Sequence, residues 1–396
     1  MTVARPPLFT RDFFLVAGIV FLAQVSAAAF FHFHEHLVGL GLDERSAGFV
    51  IGVFSLSVLV LRPLVSPFLT AANARRFAAG AAVATAAALA LYGSFAGVAG
   101  LTLLRVVHGA AYTVLLTAVT ARFVAGIPEG RSAEAFGWMS VLLLVPYALV
   151  PPLFVPLERA AGGFAPALAL LGAATLASLP LAAFLRPAAA TGPARGRITW
   201  AELREDLRSA PVLLGLLLSL VVWAAYGAVF AFLNGVGLAA GIPSPGLFLT
   251  VSTAAEASVR VAGGRFLDRV DKRRGLAVAL LVLAGGFAGL PHVGGTAPFL
   301  VLAVLLGLAW GVAMPLLSGY IFDVSPPHLR PLNTNLGMAV FQAGFFVGPA
   351  LGGPLIDLGG YRALFLGCAL VSLAGAAAAV SSTARAGAGR SPLGET

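Results

Sequence analysis

Of the 396 residues, 59% are hydrophobic and 10% are charged, and the formal net charge is +9. A water-soluble domain carries roughly 25% charged residues, so this composition excludes a soluble globular protein. A bilayer-spanning helix needs about 20 mostly apolar residues, and the apolar content here suits about a dozen of them, which predicts an all-α polytopic membrane protein. A β-barrel is excluded as well, because its strands alternate in polarity while runs such as Phe77–Tyr92 and Gly275–Leu290 are apolar on every face.

In chain order, Arg5 and Arg11 precede the apolar Phe13–Phe31, with no small-residue cleavage site before the next span. The first run therefore reads as a retained helix rather than a removed signal. Twelve spans are predicted, at 13–37, 46–68, 77–96, 100–122, 137–157, 163–185, 211–237, 244–263, 275–291, 297–320, 334–355 and 362–381. With a cytoplasmic N-terminus, nineteen of the 25 Lys and Arg fall in inner segments. Arg45, Arg159 and Arg362 fall outside, and Arg62, Arg105 and Arg260 fall within spans. This positive-inside bias predicts that both termini face the cytoplasm. The positive charge then faces anionic lipid, and no nucleic-acid partner is needed to explain it.

The longest polar stretch, Arg186–Ser209, separates six spans from six. It is Pro/Ala/Gly-rich and then reads Thr199-Trp200-Ala201-Glu202, a capping-box pattern that opens a short helix with Trp200, Leu203 and Leu207 on one face. The predicted organisation is an N-terminal six-helix bundle over 1–185, a cytoplasmic linker over 186–210 and a C-terminal six-helix bundle over 211–396. The single cysteine, Cys368, lies in an apolar stretch, so no disulfide framework or thiolate metal cluster is available.

The two halves repeat. A shift of 198 residues brings Gly48 onto Gly246, Arg62 onto Arg260 and Arg75-Arg76 onto Arg273-Arg274. Parallel six-helix repeats are a hallmark of one group of secondary transporters, whose substrate sites lie between the repeats near mid-membrane.

Three patterns carry a family resemblance. Between the eighth and ninth spans stands Gly264-Arg265-Phe266-Leu267-Asp268-Arg269-Val270-Asp271-Lys272-Arg273-Arg274. It resembles the signature loop of the major facilitator superfamily, G-x-x-x-D followed by a basic cluster. The corresponding loop of the first half has Ser66 for the glycine and Thr70 for the aspartate and keeps only Arg75 and Arg76. Arg105-Val-Val-His-Gly109 in the fourth span resembles the family's R-x-x-x-G element, whose arginine is associated with proton coupling. Gly344-x-x-x-Gly348-Pro349 resembles a Gly-Pro element that antiporters of the family carry in the fifth span, here displaced to the eleventh; its other reading is a glycine-lined packing face. The resemblance implies twelve helices in two pseudo-symmetric six-helix bundles. It also implies that Gly264, Asp268, Arg269, Arg273 and Arg274 form a conformational latch.

An ionisable residue within a span is costly, by at least ~2.5–3.5 kcal/mol, so each one is a functional candidate. Glu256 and Arg260 lie at i and i+4 on the eighth span, either as a structural ion pair or as a carboxylate that exchanges its proton during transport. Arg105 requires an acceptor: a backbone carbonyl, a carboxylate on another helix, or an anionic substrate group. His108 shares its face. The first span ends Phe31-His32-Phe33-His34-Glu35-His36. On a regular helix His32, Glu35 and His36 face the same way and His34 faces elsewhere, which suits a wetted outer-interface cluster, proton or substrate contact, or a divalent metal. Gln24, His34, Tyr112, Tyr147, Trp223, Tyr226, Trp310, Asn335 and Gln342 are the candidates for lining a mostly apolar substrate cavity, and Glu256, Arg105, Arg260 and Glu35 the charge and proton-coupling candidates.

The expected function is secondary active transport by alternating access: proton-coupled efflux of small amphipathic organic molecules across a bacterial inner membrane. The alternative is uptake of a small organic anion bound by Arg105. No catalytic constellation, P-loop or H-E-x-x-H is present in the sequence, so the third class, a non-transporting receptor or a membrane enzyme, is not expected. Neither a cofactor nor a resident metal is expected, and the expected partners of the monomer are a small-molecule substrate, protons and the bilayer.

Overall fold

Inside a bilayer a backbone can satisfy itself only as a helix or a closed barrel, and each of the twelve sequence-placed spans falls on helical backbone. The computed structural model describes residues 7–128, 132–186, 208–267, 270–326 and 329–388. Among the described residues there is no strand. The linker helix expected at Thr199–Leu207 lies outside them, as do Asp268 and Arg269, and the side chains of 261–267 and of Asn335 are likewise not described. The chain divides into two units, Met1–Arg195 and Gly196–Thr396.

In the first unit α1 (Arg11–Ala28) starts at Thr10, whose hydroxyl accepts the Phe13 N–H at 3.2 Å. A 3₁₀ turn over Ala29–His32 leads into α2 (Phe33–Gly39). Asp43 caps α3 (Glu44–Val65) by accepting the Ser46 N–H. Then follow α4 (Ala74–Ala90), α5 (Val98–Ala125) and α6 (Ser132–Ala161), with Pro146, Pro151, Pro152 and Pro156 inside α6. The last span of this unit is built from α7 (Phe164–Thr175) and α8 (Ser178–Ala183). Val16, Ile19 and Val20 of α1 meet Tyr112, Leu115 and Val119 of α5 in the core. Gln24 donates to the Leu143 carbonyl at 3.3 Å, and the His32 ring bonds the Pro151 carbonyl at 2.8 Å. Both bonds join residues 119 apart, so α1 and α6 run parallel in one register.

The second unit comprises α9 (Ala210–Ala239), α10 (Leu247–Leu267), α11 (Lys272–Gly289), α12 (Thr296–Val324) and α13 (Arg330–Ala388). Helix α13 is broken at Gly359–Gly360, where Gly360 takes φ 65°, a left-handed value that suits glycine. Among the described residues ten helical stretches are long and apolar enough to cross a membrane. Broken α13 counts once among them and α10 is a further 21-residue helix, which is consistent with twelve spans. Side chains such as Phe14, Leu64, Leu103, Val301, Leu358 and Leu370 are exposed, giving the apolar exterior that acyl chains require.

The duplication is visible in the packing. Helices α4 and α5 start at Ala74 and Val98, and α11 and α12 start at Lys272 and Thr296. These are the same positions, within two residues, after the 198-residue shift. Gly109 of α5 faces the Phe54 carbonyl of α3, and Gly307 of α12 faces the Ser252 carbonyl of α10. Both partners of the two crossings are related by the same shift, so the sequence repeat is also a repeat of close helix contacts.

Candidate functional site

The first unit buries Arg105 of α5 at 4% exposure. Its Nε donates to the Val50 carbonyl at 3.3 Å and an Nη to the Ile51 carbonyl at 2.8 Å, both on α3. The guanidinium also lies over the rings of Phe30, Phe54 and Phe33, at 4.4, 4.8 and 5.2 Å from their centroids. Helical carbonyls keep a second lone pair, so α3 accepts these bonds without losing its own ladder. Of the acceptors open to Arg105 in the sequence, the structure selects backbone carbonyls. His108, one turn on, is wholly buried among Phe30, Phe54 and Tyr92, and neither ring nitrogen has a hydrogen-bond partner among the described residues.

Gln24 of α1 and Tyr112 of α5 meet: the Tyr112 hydroxyl donates to the Gln24 side-chain oxygen while the Gln24 amide donates to α6. Tyr147, on α6, is half-buried. Gln24 and Tyr112 were chosen from sequence as cavity candidates, and the structure makes them one polar bridge across three helices.

The histidine cluster differs from its sequence reading. His32 and His36 both face the Phe154–Phe164 ring pair, His32 stacking on Phe154 with centroids 5.4 Å apart, while Glu35 lies beside His34. His32 turns to the Pro151 carbonyl, and His36 stacks on Phe164 of α7 with ring centroids 4.4 Å apart. His34 instead sits between two carboxylates, with Glu44 of α3 at 2.6 Å from its Nε2 and Glu35 at 3.7 Å from its Nδ1. His32 and His34 are buried rather than wetted. Among the described residues no group of three or more His, Cys, Asp or Glu has the arrangement to hold a metal ion.

The second unit buries Glu256 of α10 at 1% exposure, in an ion pair with Arg260. An Arg260 Nη also approaches the Met314 sulfur of α12 at 3.1 Å. Gly311 of α12 packs on the backbone of Glu256, so a close crossing fixes the carboxylate. Nearby on α9, α12 and α13 stands an aromatic group. Tyr226 and Trp310 lie 4.5 Å apart, Trp223 and Phe341 4.5 Å, and Phe345 and Tyr226 5.7 Å between ring centroids. Gln342 is buried on α13 beside Phe341. The Trp310 indole N–H is buried and has no hydrogen-bond partner among the described residues. Gly344 and Gly348 face α9 at Trp223 and Ala224, so the displaced Gly-x-x-x-Gly element acts as a packing face.

Of the predicted latch, Asp268 and Arg269 lie outside the described residues and Gly264 outside the described side chains, while Arg273 lies over the Tyr320 ring at 5.7 Å and Arg274 is exposed. Asp271 caps α11 by accepting the Arg274 N–H at 2.8 Å. Sequence reading missed the Lys272–Asp323 and Arg122–Asp12 pairs. Their signal was present, since each joins opposite charges at span ends assigned to the same side of the membrane.

The model of one family, the Major Facilitator Superfamily, matches residues 13–330 and 238–394. The chain belongs to the Major Facilitator Superfamily. Within this superfamily it is 23% identical over 383 residues to the staphylopine export protein of Staphylococcus aureus, covering 90% of this chain and 93% of that one. It is 27% identical over 153 residues to the quinolone resistance protein NorA of Staphylococcus aureus, covering 35% of this chain and 38% of that one. Among solved structures, the nucleoside transporter NupG aligns with a TM-score of 0.73 at 14% identity, over 94% of this chain and 99% of that one. A mutant of the peptide transporter POT in complex with sulfate aligns with a TM-score of 0.75 at 15% identity, over 97% of both chains. These two show the shared fold. The protein is a multi-pass membrane transporter of small molecules, as the family and the relatives are.

Proposed function

We propose that this superfamily member is a proton-coupled exporter of small amphipathic organic molecules in a bacterial inner membrane, working as a monomer by alternating access with both termini cytoplasmic. Its two bundles, 1–185 and 211–396, would be joined by the 186–210 linker, with the Gly264–Arg274 loop as latch. Export is supported by the staphylopine export protein, a relative similar along nearly the whole chain.

The observation that carries proton coupling is Glu256, a carboxylate wholly buried within a helix and ion-paired with Arg260. An arginine in a protein keeps its charge, so Glu256 is the member of the pair that can be neutralised. When Glu256 takes a proton its hold on Arg260 weakens, and when it gives the proton up the pair re-forms. That is a two-state element which a proton gradient can bias. Within the second unit, the aromatic residues Trp223, Tyr226 and Trp310, with the amide Gln342, suit a substrate with one polar end. Uptake of an anion held by Arg105 finds less support, because that guanidinium is already occupied by two carbonyls and three rings.

The test is flux in proteoliposomes under an imposed pH gradient, with staphylopine and a quinolone as the starting probes. Glu256→Gln is expected to abolish gradient-driven accumulation while probe binding, read by thermal shift, persists. Gradient-driven flux that is unchanged in Glu256→Gln removes the coupling role.

A further inference from the structure

The end of the first unit where α1 begins gathers positive charge around a cavity of about 440 Å³. Arg11 and Asp12 come from the start of α1, Arg122 from the end of α5, and Arg186 from just beyond α8. Three arginines against one carboxylate leave the lining with a net charge of +2. Asp12 is already committed to Arg122. Arg11 and Arg186 are exposed at the rim, and neither has a carboxylate partner among the described residues. Arg11 is held in place over the Phe184 ring at 5.4 Å. The α1 N-terminus adds the positive end of an 18-residue helix to the same spot.

A second, independent feature fixes the depth of this cavity in the membrane. Phe9 packs edge-on against Trp138 at 5.6 Å and against Phe13 at 5.2 Å. Phe9, Phe14, Trp138 and Phe184 are all exposed around the mouth. Rings gathered on the outer surface at a helix end mark the level of the lipid headgroups. On the proposed topology, with both termini cytoplasmic, this end meets the inner leaflet, which carries anionic lipid. A ligand seated here would therefore meet arginines at headgroup level and apolar rings, such as that of Phe14, further along its length.

We propose that this cavity binds the phosphate of an anionic phospholipid from the inner leaflet, with Arg11 and Arg186 as its ligands and the Asp12–Arg122 pair as its floor. The lipid would tie the ends of α1, α5 and α8 together at a place where the described residues supply fewer acidic groups than cations. The inference is independent of what the protein transports.

The experiment is thermal unfolding of the full-length protein in detergent, titrated separately with phosphatidylglycerol, phosphatidylcholine and inorganic phosphate. Phosphatidylglycerol is expected to raise the midpoint saturably, and the other two are not. Each basic residue near an anionic headgroup is worth about 5-fold in affinity, so Arg11→Gln or Arg186→Gln should weaken the titration about 5-fold and the double variant about 30-fold. Both side chains are exposed, and the double Lys variant, which keeps the charge, should retain most of the response. Arg45→Gln, an exposed arginine elsewhere, should change nothing. An equal response to phosphatidylcholine, an equal response to inorganic phosphate, or an equal loss in Arg45→Gln overturns the proposal.

Discussion

Alanine in place of glycine sets two effects of known size against each other, and the structure says where each one wins. In an open helix interior the exchange favours folding by about 0.8–1 kcal/mol, because alanine leaves less backbone freedom to lose. In a filled site the added methyl costs about 1–3 kcal/mol. Gly80 of α4 and Gly285 of α11 have no neighbouring atom within 4 Å of the new Cβ, so Gly80→Ala and Gly285→Ala should stabilise by nearly the full propensity gain. At Gly109 the Cβ would lie 2.7 Å from the Ser57 Cβ and 2.8 Å from the Phe54 carbonyl oxygen. Helices α3 and α5 must then part, for a net loss of about 1 kcal/mol. At Gly307 the obstruction is the Ser252 backbone itself, which no rotamer change can move, and the net loss should be about 2 kcal/mol. Thermal unfolding of the four variants in one detergent reads this as midpoint shifts of about 2–4 °C per kcal/mol for units of this size. If Gly109→Ala and Gly307→Ala raise the midpoint as Gly80→Ala does, the close crossings inferred for α3–α5 and α10–α12 are wrong.

Two further outcomes follow from the site. Arg105→Lys replaces a planar fork, bonded to two carbonyls and ringed by three phenylalanines, with a point charge, and should lower stability by about 2–3 kcal/mol; an unchanged midpoint would show that the cage carries no energy. At the start of α3, outside the span, the Ser46 hydroxyl and backbone N–H hold the Asp43 carboxyl below its ordinary value of 3.8. A depressed carboxyl stabilises above its ordinary value and loses that contribution as pH falls through the folded one. The stability gap between the natural chain and Asp43→Ala should accordingly be constant near neutrality and close below about pH 4, and a gap that persists at pH 2 would refute the capping role.

The parts legible in the sequence were those set by the solvent. Twelve apolar runs had to be helices because lipid offers the backbone no partner, and Glu256 and Arg105 had to find internal partners for the same reason. The pairing of Glu256 with Arg260 followed from i, i+4 spacing alone. What stayed hidden depended on residues far along the chain. His32 bonds a carbonyl 119 residues away, which no local residue announces. Glu44, which takes His34, stands in the first turn of α3, where an acid is explained by the helix end alone. Tyr92 and Asn234, both buried, were not singled out, since a single polar side chain near a span end reads as an interface residue. The Gly344–Gly348 element could be recognised as a glycine face, but only the packing of Trp223 and Ala224 against it shows what it accommodates.

The anchor at Arg105 has a consequence for how this region tolerates change. Its two acceptors are main-chain oxygens, which any residue supplies, so the clamp between α5 and α3 makes no demand on the chemistry of the side chains at 50 and 51. Variation at those two positions would leave the fastening intact, and no compensating replacement at 105 would ever be required. A join of this kind is invisible to any search for paired substitutions, however much it contributes to holding the two helices together.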